Sequence, residues 1–207
     1  MPYRDAWALQ ERAHADVLAG GAERVFLVEH PPVITFGRRP GVARNLIASD
    51  EQLAQLGVEV VQSDRGGDIT FHGPGQIVAY PIVRLADHGL SVSGYVHKLE
   101  EIVIQTLKDF GLQGQTDPAA VGVWVRDGDQ LAKICAIGVR IRKGISLHGL
   151  ALNVTTDLTH FNLIIPCGLQ SRSVTSIQKL LGPGAPEIAV VKDALMRQIS
   201  FALIPAE

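Results

Sequence analysis

The residue types best suited to chemistry fall in four stretches: RGGDITFHGPGQ (65–76), LAKICAIGV (131–139), SLHGLALNV (146–154) and PCG (166–168). In the first, glycine fills four of twelve positions, a density that weakens regular structure and lets a backbone approach a ligand closely. Arg65, Asp68, Thr70 and His72 are interleaved with those glycines, so the stretch reads as a functional loop rather than a turn with incidental glycines. Strand alternation would place Asp68, Thr70 and His72 on one face and Ile69 and Phe71 on the other. His72 and His148 each have two readings, a buried structural imidazole or a group that orients a carbonyl or a nucleophile. Of the two cysteines, Cys135 lies in an apolar strand pattern and reads as a buried hydrophobe, whereas Cys167 is in a loop beside Gly168. A free thiol is only about 3% thiolate at neutral pH and needs a nearby cation, base or helix N-terminus to become a useful nucleophile. Lys133 could be that cation, because a charge inside a strand pattern is costly unless it has a partner or a task; an edge lysine that discourages strand aggregation is the other reading. A differential interaction of about 2 kcal/mol, within reach of one close cation, moves a thiol far enough. Cys135, two residues from Lys133, would share its face in a regular strand and so remains a competing thiol.

The surrounding pattern supplies the elements that would position these groups. A helix is expected over 5–18, ending at Gly20-Gly21, and a second over 93–110, where Val96, Leu99, Val103, Leu107 and Phe110 line one face. VFLVEH and VITFG read as strands around Pro31-Pro32, Asn45 to Gly57 reads as a short helix, and VEVVQ and IVAYPIV bracket the glycine-rich stretch as strands. VGVWVRD, QLAKICAIGVRIR and ISLHGLALNV, separated by turns at Gly128 and Gly144, form an antiparallel meander. Helical sequence resumes near Ser173 and is broken at Gly182-Pro183-Gly184. Helices at both ends and in the middle, with strand pairs between, give an α+β fold: one domain over 1–207, a mixed, largely antiparallel sheet flanked by helices.

Composition narrows the field. The 207 residues are 46% hydrophobic and 19% charged, with a formal net charge of −2. A chain of this size buries roughly 70% of its unfolded surface and needs neither disulfide nor metal to close a core. The near-balanced charge gives no global field for polyanions, so nucleic acid is not an expected partner. No apolar run approaches the ~20 residues of a membrane span and the first residues lack a signal-peptide core, so a cytoplasmic location is expected. Phosphate-loop, GxGxxG, HExxH and GxSxG patterns are all missing. The two cysteines form no CxxC, and no metal site is expected.

RGGDITFHGPGQ (65–76), AKICAIGVRIRKG (132–144), SLHGLALNV (146–154) and FNLIIPCG (161–168), in this order and spacing and with YRDAWALQ (3–10) near the start, resemble the lipoyl(octanoyl) transferases of the biotin/lipoate protein ligase-like family. The resemblance covers nearly the whole chain. It implies a fold like the catalytic domain of biotin and lipoate protein ligases. It also implies transfer of octanoyl from octanoyl-acyl carrier protein to a specific lysine of the lipoyl domains of 2-oxo acid dehydrogenases and the glycine cleavage H protein, the first step of endogenous protein lipoylation. It places the acyl-thioester cysteine at Cys167 and the lysine that lowers its pKa at Lys133. The substrate-binding segments fall on Arg65, Gly66, Gly67, Asp68, Ile69, Thr70, Phe71 and His72, on Ala136, Ile137 and Gly138, and on Gly149, Leu150 and Ala151.

The implied chemistry is physically coherent. The Cys167 thiolate attacks the carrier thioester, backbone N–H groups of the glycine-rich segments hold the oxyanion, and Lys133, with His72 or His148, takes the proton of the incoming amine. Thioester-to-amide transfer is downhill, so neither ATP nor any other cofactor is required. Acyl carrier proteins are typically acidic, which directs attention to two basic clusters, Arg38, Arg39 and Arg44, or Arg140, Arg142 and Lys143. The rival functions are an ATP-dependent lipoate or biotin ligase of the same fold, a non-catalytic acyl-binding or carrier-binding module, and a cysteine hydrolase.

Overall fold

A computed structural model describes residues 1–165 and 173–203. The first helix, α1 (Tyr3–Leu18), forms because Tyr3, Ala6, Gln10, Ala13 and Val17 recur every three or four residues and make one buried stripe. The chain then builds β1 (Arg24–Val28) and β2 (Val33–Phe36), and a single turn at Val42–Asn45 leads to α2 (Asp50–Gln55). The helix starts where Ser49 and Gln52 cap each other's backbone N–H groups. β3 (Glu59–Gln62), β4 (Thr70–His72) and β5 (Gln76–Ile82) follow, then α3 (Val92–Lys108), β6 (Gln115–Thr116) and β7 (Val123–Asp127). The long β8 (Gln130–Arg142) and β9 (Ile145–Asn153) complete the meander. β10 (Ser173–Val174), α4 (Ile177–Leu181) and α5 (Ile188–Leu203) close the described chain.

Two sheets result. The larger runs β1-β5-β9-β8-β7-β6, antiparallel throughout, with β10 joining β8 in parallel. The smaller is β3-β2-β4, in which β2 is parallel to β3 and antiparallel to β4. The fold is therefore α+β with a mixed, largely antiparallel sheet. One face of the large sheet packs on α3 and α5 through Ile77, Ala79, Leu150 and Leu152 against Leu99, Val103, Leu195 and Ile199. The opposite face receives α1 through Val78, Tyr80, Ala151 and Leu147 against Ala6, Ala13 and Val17. Among the described residues no helix is long and apolar enough to cross a membrane.

The expected elements differ from the structure at three places. The 45–57 segment holds a six-residue helix only, and Ser173 does not begin a helix: Ser173 and Val174 pair with Ala132 and Lys133, and the helix starts at Ile177, where the Ser176 hydroxyl accepts the Lys179 N–H. The third departure bears on the site. β7 and β8 shift register between Val123 and Trp124, so that Trp124 faces Lys133 while Val123 faces Cys135. Ile134 is the extra residue, a β-bulge that interrupts alternation. Ile134 and Cys135 consequently both enter the core under α3, while Lys133 joins Ala136 and Gly138 on the opposite face.

Candidate active site

A cavity of about 520 Å³ lies on the α1 side of the large sheet, between β8, β9 and β5 below and the 65–72 segment above. That volume is in the range of small-molecule sites. Gly66 and Gly138 let the two walls meet: the Gly66 N–H donates to the Val139 carbonyl at 2.9 Å, and a Cβ on Gly138 would stand 2.9 Å from the Gly66 oxygen. The Gly66 N–H is thus committed to the sheet. Ile69, Val78, Ala136 and Ala151 supply apolar surface to the cavity, which at about 0.8 kcal/mol per buried CH₂ suits an alkyl chain.

Of the sequence-nominated binding residues, Arg65, Gly66, Gly67, Asp68, Ile69, Thr70, His72, Ala136, Ile137, Gly138, Gly149, Leu150 and Ala151 all line this cavity. Phe71 does not. Its ring turns away from β4 to stack on His160 at 4.7 Å and meet Phe161 edge-on in a separate apolar cluster, so it supports the wall from behind. Arg65 and Asp68 hold the segment in shape. The Arg65 guanidinium donates to the Thr35 carbonyl at 2.6 Å and the Gly66 carbonyl at 3.0 Å, and the Asp68 carboxylate accepts the Ile69 N–H and the Asn45 amide.

Lys133 reaches the cavity from the bulge with only 8% of its surface exposed. Its ammonium donates to the Val121 carbonyl at 2.9 Å and lies 4.8 Å from the centre of the Trp124 ring, a favourable cation–π placement. Cys167 lies outside the described residues. The residues bracketing it are well anchored: the Ile165 N–H donates to the Asn45 carbonyl at 2.7 Å, and Val174 lines the cavity in register with Lys133. Cys135 is fully enclosed in the core under α3, where burial pushes its thiol up to about 12. Such a thiol has no nucleophilic fraction at neutral pH.

The two histidines separate. His72 is neutral and saturated: its Nδ1–H donates to Gln76 Oε1 at 2.7 Å, because the Gln76 amide nitrogen is engaged by the Phe71 carbonyl and Asn153, and its Nε2 faces the Thr35 hydroxyl at 3.4 Å. Burial, with His30 and Arg65 nearby, lowers its pKa to about 3, so it is no proton acceptor near pH 7. His148 takes a left-handed φ of 58° within β9, a strained conformation for a side chain. Its parity in the strand matches Leu150 and Leu152, yet its ring sits against Trp7 and Tyr80 on the α1 side. His148 Nε2 is 2.6 Å from Asp64, while its Nδ1 is buried without a hydrogen-bond partner. The His148 hydrogen bond, with Arg140 at 2.8 Å, holds the Asp64 carboxyl below its ordinary range.

Sequence reasoning missed other cavity residues: Tyr3, Tyr80 and Asn153, and the 118–121 loop. Tyr3 and Asn153 lie within quoted motifs, YRDAWALQ and SLHGLALNV, but nothing in local pattern gives them or Tyr80 a place in the site; Tyr3 and Tyr80 arrive by the packing of α1 on β5. Of the two basic clusters, Arg140 and Arg142 are engaged by Asp64 and Glu11. Arg38, Arg39 and Arg44 are exposed; Arg39 lines the cavity and its guanidinium pairs with Asp68 at 3.3 Å, and the backbone N–H groups of Arg38 and Arg39 donate to the Arg65 and Gly67 carbonyls. Among the described residues no group of three or more His, Cys, Asp and Glu could hold a metal ion.

Comparison with known proteins agrees with this fold. The chain is 49% identical over 209 residues to an octanoyltransferase of Chloroflexus aurantiacus, covering 98% of this chain and 91% of the relative. It is 43% identical over 211 residues to an octanoyltransferase of Bacteroides fragilis, covering 99% and 95%. Among solved structures, a lipoate-protein ligase A bound with ATP superposes with a TM-score of 0.71 at 18% identity, over 94% of this chain and 80% of that one. The bi-partite lipoate protein ligase of Thermoplasma acidophilum, described with its E2 lipoyl domain, gives 0.67 at 16%, over 94% and 78%. These structures share the biotin/lipoate ligase catalytic fold. Residues 2–200 match the family model of the lipoyl protein ligase A/B catalytic domain, and the chain belongs to that family.

Proposed function

We propose that residues 1–207 form one octanoyltransferase catalytic domain that moves octanoyl from octanoyl-acyl carrier protein to the lysine of a lipoyl domain, through a thioester on Cys167 and without ATP. The observation that carries this reading is the convergence of Lys133 with segments 65–70, 136–138 and 149–151 on one cavity with an apolar lining. In the first half-reaction the Cys167 thiolate attacks the carrier thioester; a C–S bond forms to octanoyl and the carrier thiolate leaves. In the second, the neutral amine of the acceptor lysine attacks that thioester, an amide forms, and Cys167 departs as thiolate. Lys133 supplies the cation beside the attacking thiolate, gives its proton to the departing carrier sulfur and, as the neutral amine, then takes the proton lost by the acceptor amine, so that the Cys167 thiolate departs beside a restored ammonium. His72, neutral and doubly hydrogen-bonded, takes no part in that transfer. The acceptors are the lipoyl domains of 2-oxo acid dehydrogenases and the glycine cleavage H protein, the setting is the cytoplasm, and Arg38, Arg39 and Arg44 are the surface for the acidic carrier.

The test is intact-mass analysis after incubation with octanoyl-acyl carrier protein in the absence of ATP, for wild type, Cys167→Ser and Cys135→Ser. An octanoyl adduct lost only in Cys167→Ser, and discharged by an apo lipoyl domain, is the expected result. Octanoylation that appears only with ATP and free octanoate would assign the chain to the ligase reaction instead.

A further inference from the structure

We propose that Glu100 is a positioning residue for Lys133, acting through the single peptide unit between Val121 and Gly122. Glu100 is 4% exposed, on the buried face of α3 with Leu99 and Val103. A carboxylate in such a place needs hydrogen-bond donors. It has two. Oε1 accepts the Gly122 N–H at 3.0 Å, and Oε2 lies 3.0 Å from Nδ1 of His97, one helical turn earlier at the surface. The carbonyl of that same peptide unit, Val121 C=O, accepts from the Lys133 ammonium at 2.9 Å. The peptide is therefore held at both ends, its N–H by an anion and its oxygen by a cation. Charge at each end polarises the amide in the same sense, so the two hydrogen bonds strengthen each other.

The surroundings leave this peptide little freedom. The Trp124 indole N–H donates to the Ala120 carbonyl at 3.0 Å, so the ring that lies against Lys133 also fixes the residue before Val121. Gly122 has φ 126°, outside the reach of ordinary side chains, and a Cβ there would stand 2.5 Å from the Cys135 carbonyl oxygen, so the peptide lies directly against β8. Rotation of the peptide would turn the Val121 oxygen away from the ammonium. Glu100 is the group that prevents it, because it holds the opposite end. Neither Glu100 nor Gly122 lines the cavity, so the effect is on the aim of Lys133 rather than on substrate contact.

The inference rests on the octanoyltransferase reading for its kinetic readout and is independent of it for its structural one. Three variants, Glu100→Ala, Glu100→Gln and His97→Ala, are assayed for steady-state octanoyl transfer and for amide hydrogen exchange at Gly122. In Glu100→Ala, kcat is expected to fall by up to about 100-fold, as for a misplaced reacting group, with KM for the carrier substrate within about twofold of wild type. Gly122 exchange should quicken at least about tenfold. Glu100→Gln keeps an acceptor oxygen at the same reach and should restore Gly122 protection and most of kcat; His97→Ala should retain both. An unchanged kcat in Glu100→Ala overturns the proposal, as does a loss carried by KM or a Glu100→Gln variant with Gly122 protected and kcat as low as in Glu100→Ala. Should Glu100→Ala fail to fold, Glu100→Asp takes its place, because a carboxylate shorter by one methylene withdraws from the Gly122 N–H; kcat and Gly122 protection should fall together, and an unchanged kcat with Gly122 exchange quickened overturns the proposal. Wild-type protein without octanoyl transfer would remove the functional reading, while Gly122 exchange in the variants would still decide the clamp.

Discussion

Lys133 and Cys135 stand two residues apart on one strand, yet they meet opposite environments. On the cavity side, Lys133 has a carbonyl, an aromatic face and space for a ligand. On the α3 side, Cys135 is sealed among Val123, Leu152 and the helix, and its thiol is pushed up to about 12 by burial. A regular strand would have placed both on the same face. One bulged residue, Ile134, separates a position that faces the cavity from one sealed in the core. The contrast shows that placement relative to the sheet, rather than residue type, decides which potentially reactive side chain is available for chemistry.

The largest effect should come from the cavity side. Lys133→Met keeps the length and apolar stem of the side chain but removes its charge, and octanoyl transfer should fall by about 10³-fold, within the range for loss of a proton-transfer group. Lys133→Arg should not rescue it, because a guanidinium does not give up a proton near neutral pH. Steady-state kinetics with octanoyl-acyl carrier protein measure both. Activity within tenfold of wild type in Lys133→Met would erase the functional difference between the two faces.

A smaller effect comes from the His72 imidazole in the cavity wall. Its pKa is about 3 in the folded protein because burial disfavours the cation, against about 6.5 in the unfolded chain. Above pH 6.5 the group is neutral in both states and adds no pH dependence. As pH falls from 6.5 towards 3 the unfolded chain gains a proton the native state refuses, and stability is lost through that window. By pH 5 this one group should cost about 2 kcal/mol. Chemical denaturation at pH 7 and pH 5 should show that loss in wild type, and His72→Gln should reduce the pH-dependent part by the same amount. Equal pH dependence in both proteins would mean that His72 is not buried neutral, and the cavity wall would be wetter than its hydrogen bonds indicate.

The parts of this molecule readable from sequence are those set by local periodicity and by glycine. The stripe from Val96 to Leu107 gave α3, the alternation on either side of Gly128 and Gly144 gave the meander, and the glycine-rich 65–76 stretch marked the cavity wall. What escaped depends on partners distant in sequence. The bulge at Ile134 is a matter of how β7 pairs with β8, and β10 exists because Ser173 and Val174 lie beside Ala132 and Lys133. Phe71 lies in a cavity-forming motif but turns behind it, since Phe161 and His160 are there to receive it. Glu100 had a signal: it falls four residues after Val96 and three before Val103, a charge within the apolar stripe of α3. A buried carboxylate needs donors, and the donor that met it, Gly122, lies 22 residues away.

The smallest effect tests the buried side directly. Cys135→Ala removes one sulfur from a filled core and should cost about 1 kcal/mol of stability, as a small cavity does. It should leave the octanoyl adduct and the transfer rate unchanged. Iodoacetamide should label Cys135 in unfolded protein and spare it in native protein up to pH 9, because a thiol at about 12 is almost wholly protonated there. Labelling of native Cys135 at the rate of an exposed thiol would mean that the strand opens at the bulge. Ile134 would then be a hinge between the two faces, and the separation of Lys133 from the second thiol would be dynamic instead of fixed.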